Sequence, residues 1–294
     1  MQDRNSVSLN QKKVKKKAKA GRRISRRKCI GKVDENALCE YNHSGGESMV
    51  RAVFVDVDDT LLDFHACARE SALYAAAHAG ISLPDDFMDT FMRFNNLYWH
   101  RIEQGIMTRE ELHQVRWKSI LHALGLEGDS LQMERGFREQ LRNAAVPVPG
   151  AHAMLAFLSE RVPVWVASNA NRDQQEQRLR KAGMLDYVCG ILASGNIGAS
   201  KPDSSFFKAC LDRVAPLAPR ECLMIGDSMQ ADIVGAAHVG MLTCWYHSDG
   251  AEEEAGGIAP DWTIRKLEEI TKISALTALE RKQADHESDQ KRMA

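Results

Sequence analysis

The chain has 294 residues, 44% hydrophobic and 27% charged, with a formal net charge of −1. That length holds one good-sized domain plus a smaller one, and the composition is that of a globular protein rather than a fibrous or disordered one. No apolar run approaches the roughly 18 residues that a bilayer span needs, and no signal segment opens the chain, so it reads as soluble and cytoplasmic with no membrane partner.

In chain order, a basic leader comes first. Residues 1–48 carry 13 Lys and Arg against 5 Asp and Glu, which leaves the rest of the chain acidic. Gln11 to Lys32 has almost nothing apolar to bury and cannot offset its ordering entropy, so residues 1–48 are expected to be disordered. Its charge could hold nucleic acid, without specificity because no aromatics interleave. The folded pattern begins abruptly at Met49, after Ser44-Gly-Gly-Glu-Ser48. Met49 is therefore the expected natural start.

Beyond Met49, short apolar runs alternate with helical patterns. Strands are expected at Ala52–Val57, Val162–Ala167, Gly190–Ala193, Cys222–Ile225 and Met241–Trp245. Helices are expected at Ala151–Glu160, Arg172–Ala182, Ser204–Val214 and Gln230–Val239. Such alternation implies an α/β fold with a doubly wound parallel sheet, whose strand C-termini share one ligand-binding edge. Residues 49–63 and 147–275 would form this core. Residues 64–146 break the alternation with helical signals only, among them a Thr108-x-x-Glu111 capping box and Pro84 near the first turn of a helix. They read as an all-helical cap domain inserted after the first strand. Residues 276–294 form a charged tail. The seven cysteines have no C-x-x-C pair, so free thiols are expected rather than a zinc site or disulfide framework.

Four motifs carry chemistry. Asp56-Val-Asp58-Asp59-Thr60 ends the first strand, crowding carboxylates that repel unless something positive sits there. Gly226-Asp227-Ser-Met-Gln-Ala-Asp232 follows another buried strand. If those strands are neighbours, the two acidic sites make a hard oxygen cage suited to Mg²⁺. Ser168-Asn169 closes a strand at the same edge, and Lys201-Pro202 precedes a helix, where the ammonium can be aimed at an anion.

This ordered set, DVDDT, SN, KP and GDSMQAD, resembles the haloacid dehalogenase superfamily of phosphohydrolases over about residues 50–272. The resemblance implies a helical cap over an α/β core and an aspartyl-phosphate mechanism. Asp56 would attack phosphorus. Asp58 would protonate the leaving oxygen, then deprotonate water. Asp56, the carbonyl of Asp58 and Asp227 would hold Mg²⁺, with Asp232 in support. Ser168, Asn169 and Lys201 would hold the phosphoryl oxygens, with main-chain N–H groups after the first strand adding an anion nest. Asp58 separates the chain from dehalogenases, which usually lack an aspartate there, and the DKTGT signature of transport ATPases is absent. Phosphomutases of this type look similar, so mutase activity stays open.

Substrate choice would lie with the cap. Leu97–Thr108, Gln174–Gly183 and Gly257-Ile-Ala-Pro-Asp-Trp-Thr263 are similar to bacterial pyrimidine 5′-nucleotidases, implying a nucleoside monophosphate substrate. The sequence departs from them at Ser168-Asn169-Ala170, where Thr-Asn-Gly is common. Phe94, Tyr98, Trp99 and Trp117 are candidate base contacts because aromatics stack on bases. His65 is a candidate at the cap's mouth. The alternatives are a general phosphatase for sugar phosphates, phosphoglycolate or flavin mononucleotide, and a non-catalytic binding protein that uses the basic arm.

Overall fold

The computed structural model describes residues 50–248 and 257–276. The expectations for the basic leader and Met49, and for the charged tail beyond Leu276, fall outside the described residues.

Six strands form one parallel sheet: β1 (Ala52–Val55), β2 (Val164–Ser168), β3 (Gly190–Ala193), β4 (Cys222–Gly226), β5 (Leu242–Tyr246) and β6 (Trp262–Ile264). Their spatial order is β3-β2-β1-β4-β5-β6, which places β1 in the middle. Every residue of β1, β2, β4 and β5 is buried, as a sheet covered on both faces requires. Strand alternation sorts the side chains by parity. Val53, Val55, Val164, Val166, Leu223 and Ile225 pack beneath the helix Ala151–Ser159. Ala52, Phe54, Trp165, Ala167 and Met224 face Phe206, Phe207 and Cys210 on the helix Ser204–Arg213. The edge strand β6 is the one the sequence pattern missed, because three residues with a half-exposed first position show no periodicity.

Between β1 and the helix Ala151–Ser159 that leads into β2 lie four helices and no strand: α1 (Phe64–Ala79), α2 (Phe87–Glu103), α3 (Arg109–Ala123) and α4 (Ser130–Leu141). The capping box opening α3 forms, with the Thr108 hydroxyl accepting from Glu111 N and the Glu111 carboxylate accepting from Thr108 N. Pro84 sits one turn before α2 rather than inside it; Asp86 is the N-cap and Phe87 N donates to Pro84 O. The cap has its own core, with Ala68, Ala72, Ala75 and Ala76 of α1 against Phe91, Trp117 and Phe137. Small residues let α1 and α4 approach closely: a Cβ on Gly136 would lie 3.2 Å from Ala75 Cβ. The aromatic trio packs with ring centroids 5.2 to 5.7 Å apart, each such pair contributing about 0.5–1.5 kcal/mol beyond its area.

The remaining core helices are α5 (Ala151–Ser159), α6 (Arg172–Lys181), the short α7 (Ser194–Ile197), α8 (Ser204–Arg213) and α9 (Gly235–His238). The single helix expected at Gln230–Val239 is instead a π-helical segment, Met229–Val234, running into α9. Cys67, Cys210, Cys222 and Cys244 are free and buried, as expected; Cys189 is not among them, being disulfide-bonded. Among the described residues no helix is long and apolar enough to cross a membrane.

Candidate active site

The parallel register assembles the site. Val55 pairs with Val166 of β2 and with Ile225 of β4, so the residues after all three strands emerge at one edge. Asp56 N still donates to Ile225 O at 2.9 Å, which holds the Asp56 side chain between Ser168 and Asp227. The chain then turns sharply. Asp59 adopts φ 58°, a left-handed conformation that Asp tolerates better than most residues. Its N–H donates to Leu62 O at 2.8 Å, and its carboxylate accepts from Phe64 N.

Carboxylate oxygens of Asp56, Asp227 and Asp232 lie within 4.8 Å of one another. One cation balances part of this charge. Lys201 Nζ lies 2.6 Å from Asp56 Oδ1, 2.6 Å from Asp232 Oδ1 and 2.9 Å from Ala167 O. Two negative charges remain in a buried place. Burial, opposed by Lys201 and reinforced by Asp232 and Asp58, pushes the Asp56 carboxyl up to about 7. Burial, with Asp56 and Asp232 nearby, also raises Asp227 well above the usual range. A divalent cation is the species that would satisfy this donor set of hard oxygens.

Asp232 is fully buried and has both oxygens engaged, Oδ1 by Lys201 and Oδ2 by Ser228 N at 3.1 Å. It reaches beneath β4 only because residue 226 is glycine: a Cβ there would stand 2.1 Å from Asp232 Oδ2. The π-helical segment swings Asp232 back toward the strand, and such segments recur at functional sites. Thr60 donates to Asp227 Oδ1 at 2.9 Å and tethers the two acidic loops.

Asp58 is held by α6. Gln175 Nε2 donates to Asp58 Oδ2 at 2.7 Å and to Ser168 Oγ at 3.1 Å, while Arg178 Nη1 pairs with Asp58 Oδ1. Asn169 is placed differently from expectation. Its side chain accepts from Lys201 N at 2.8 Å and donates to Lys201 O at 2.9 Å, so its amide holds the lysine's main chain instead of being free for a phosphate.

Above these residues a cavity of about 690 Å³ separates core from cap. Met92, Asn96, Trp99 and Glu103, spaced three or four apart along α2, line it. The other face of α2 carries Phe91 and Tyr98 into the cap core, which decides the aromatic candidates. Trp99 is on the cavity wall. Trp117, 1% exposed and packed between Phe91 and Phe137, is cap core and cannot reach a base. Tyr98 is buried with its hydroxyl 2.6 Å from Ser119 Oγ, and Phe94 packs on the cap core beside Tyr98. Neither lines the cavity. His65 is exposed in the first turn of α1, also away from it.

Several lining residues escaped the sequence reading. Glu103, at the end of α2, lines the same cavity as the acidic cluster, and burial and the charge of Asp232 push it up to about 7. Arg109, Arg138 and Arg142 line the cap side with His113, whose imidazole is pushed down to about 4 by burial and by Arg138 and Arg116. Thr60, Gln175 and Arg178 were also missed. The signal for the last two was α6 itself: Arg172-Asp-Gln-Gln-Glu-Gln-Arg-Leu-Arg-Lys181 has one apolar residue, Leu179, yet must pack on the sheet. Its buried face therefore had to be polar, and it is Gln175, Arg178 and Leu179.

The charge imbalance has a measurable consequence. Asp56 binds its proton more tightly folded than unfolded, so between pH about 4 and about 7 the native state holds more protons. Metal-free protein is therefore expected to lose stability as pH rises through that window, and Asp56→Asn should flatten the loss. Added Mg²⁺, which favours ionised carboxylates, should raise the melting temperature more at pH 7.5 than at pH 5. Melting curves with and without Mg²⁺ at both pH values check this; equal Mg²⁺ shifts would contradict it.

Comparison with known proteins agrees with this geometry. The family model of the haloacid dehalogenase-like hydrolases matches residues 50–240. The HAD-hydrolase YfnB of Bacillus subtilis is 30% identical over 223 residues, covering 76% of this chain and 94% of that protein. A crystal structure of YfnB bound to magnesium is similar at a TM-score of 0.71 and covers 76% of this chain and 98% of that one. The pyrimidine 5′-nucleotidase YjjG of Escherichia coli is 26% identical over 75% of this chain and 96% of its own length. The pyrimidine 5′-nucleotidase PynA of Streptococcus pneumoniae is 28% identical over 65% of this chain and 81% of its own.

Proposed function

The chain belongs to the haloacid dehalogenase-like hydrolases and is a Mg²⁺-using phosphomonoesterase; we propose that it is a 5′-nucleotidase for pyrimidine nucleoside monophosphates. The observation that carries the chemistry is the meeting of Asp56, Asp58, Ser168, Lys201 and Asp227 at one sheet edge beneath the cavity.

In this reading Asp56 attacks phosphorus with Oδ2, the oxygen Lys201 does not hold. The bond from phosphorus to the substrate's ester oxygen breaks as the bond to Asp56 forms. Asp58, protonated at the start, gives that oxygen its proton, then takes one from the water that attacks the aspartyl-phosphate, so inorganic phosphate leaves, Asp56 is again a carboxylate and Asp58 is again an acid. Lys201 and the Ser168 hydroxyl hold phosphoryl oxygens, and the cap excludes bulk water, strengthening each interaction. Asp56, Asp227 and the Asp58 carbonyl would hold Mg²⁺, which neutralises charge on the phosphoryl oxygens when bound. Asp232, both oxygens already engaged, supports Lys201 from beneath.

Two relatives named as pyrimidine 5′-nucleotidases, and Trp99 on the cavity wall, support the substrate class. A second reading draws on Arg109, Arg138 and Arg142: a cap wall this basic favours a substrate with a second anionic group, such as phosphoglycolate. Phosphate release with Mg²⁺ from UMP, dUMP, dTMP, GMP, phosphoglycolate, sugar phosphates and flavin mononucleotide separates the two. Preference for UMP, dUMP or dTMP is expected, with Trp99→Ala raising KM for them. Preference for phosphoglycolate, lost in Arg138→Ala, would replace the nucleotidase reading.

A further inference from the structure

α6 sends Gln174 to the cavity wall, and it buries two further polar side chains behind the reacting edge. Gln175 and Arg178 are both 0% exposed. Asp58 has each oxygen held by one of them, Oδ2 by Gln175 at 2.7 Å and Oδ1 by Arg178 at 2.5 Å. The two holders are joined, Arg178 Nη1 donating to Gln175 Oε1 at 3.0 Å. Gln175 also donates to Ser168 Oγ at 3.1 Å, so one amide spaces Asp58 from the phosphate-side hydroxyl. Arg178 Nε donates to Ala144 O at 3.0 Å, on the segment that returns from α4 to the core.

A guanidinium this deep is a poor stability device. Taking a charge pair out of water roughly cancels its attraction, and apolar packing of like volume would do as well. Arg178 Nη2 is moreover buried with no oxygen or nitrogen partner among the described residues, with the Cys67 thiol as the group beside this guanidinium.

We propose that Arg178 and Gln175 are positioning residues: a buried clamp that fixes the Asp58 carboxylate against the leaving oxygen and ties its orientation to the cap's return segment through Ala144. The proposal rests on the reading of Asp58 as the acid and base. The clamp touches neither substrate nor metal; it sets where the proton donor stands. An error of about 1 Å there costs about 10²-fold in rate. The loss should depend on the leaving group, because an alkoxide needs a proton as it departs and a nitrophenolate does not.

Arg178→Lys keeps the charge and loses the fork; Gln175→Met keeps the length and loses the donor. Each is compared with wild type on the alkyl monophosphate that wild type turns over fastest, and on first-turnover release from 4-nitrophenyl phosphate. Asp58→Asn is run beside them. The expected result is a loss of about 10²-fold on the alkyl ester in both clamp variants, with first-turnover nitrophenolate release within a few-fold of wild type. Asp58→Asn should show the same bias, more strongly. Equal losses on both esters, or none, in the clamp variants while Asp58→Asn keeps its bias would overturn the clamp alone. Absence of bias in Asp58→Asn would overturn the reading of Asp58 and the clamp with it. If Arg178→Lys fails to fold, Gln175→Met decides by the same comparison.

Discussion

Asp56→Asn should abolish phosphate release, with a loss on the order of 10⁴-fold or more, while the protein stays folded. Asn keeps the shape of Asp56 and its place between β2 and β4, where Asp56 N is fixed to Ile225 O. What it loses is the anionic oxygen that is proposed to attack phosphorus. Neither of the carboxylates clustered with it occupies that place: Asp232 is fully buried beneath Lys201, and Asp227 emerges from the neighbouring strand β4. Because burial already holds Asp56 up to about 7, removing its charge should leave metal-free protein at pH 8 as stable as wild type or more so. Steady-state phosphate release and melting curves measure the two halves. Turnover near wild type would remove Asp56 as nucleophile, and a variant that cannot fold would show the carboxylate to be structural.

Lys201→Met should reduce both turnover and stability. The lysine side chain is 4% exposed and lies 2.6 Å from each of two carboxylates. Methionine matches its length and removes its charge, so Asp56 and Asp232 would face each other uncompensated in a buried site. Breaking a buried pair in this way costs about 3–5 kcal/mol, and losing one cationic contact to the transferring phosphoryl costs about 10²–10³ in rate. The sign of the pH effect follows. Without Lys201 the two acids hold protons more tightly, so the stability deficit should be smaller at pH 5 than at pH 8. Denaturant unfolding at both pH values checks this. A deficit equal at both would mean that the loss is one of packing rather than charge.

Much of the site was legible because its parts sit where strands end. Asp56, Ser168 and Asp227 follow continuously apolar runs, and a buried run that stops at a polar residue marks the edge of a sheet whatever the strand order. The cap was legible for the opposite reason, the absence of any period-two run across about 80 residues. The cap aromatics were not. Trp99 and Tyr98 are adjacent in sequence, yet one faces the cavity and the other bonds Ser119, because the face a helix buries depends on its neighbours and not on its own composition. Asn169 likewise reads as a free amide until Lys201 is seen folded back over it.

The sequence by itself determined the class of fold, which follows from local hydrophobic period, and the order of the motifs whose resemblance to a known family carried the expected chemistry. Only the tertiary structure decided that β1 lies between β2 and β4, which turns three separate strand ends into one site. It alone revealed that residue 226 must lack a side chain for Asp232 to pass, and that a polar helix far along the chain holds Asp58. The physical reason is one of range. Period and propensity act over a few residues, whereas the charge balance of a buried site is a sum over groups brought together from distant parts of the chain.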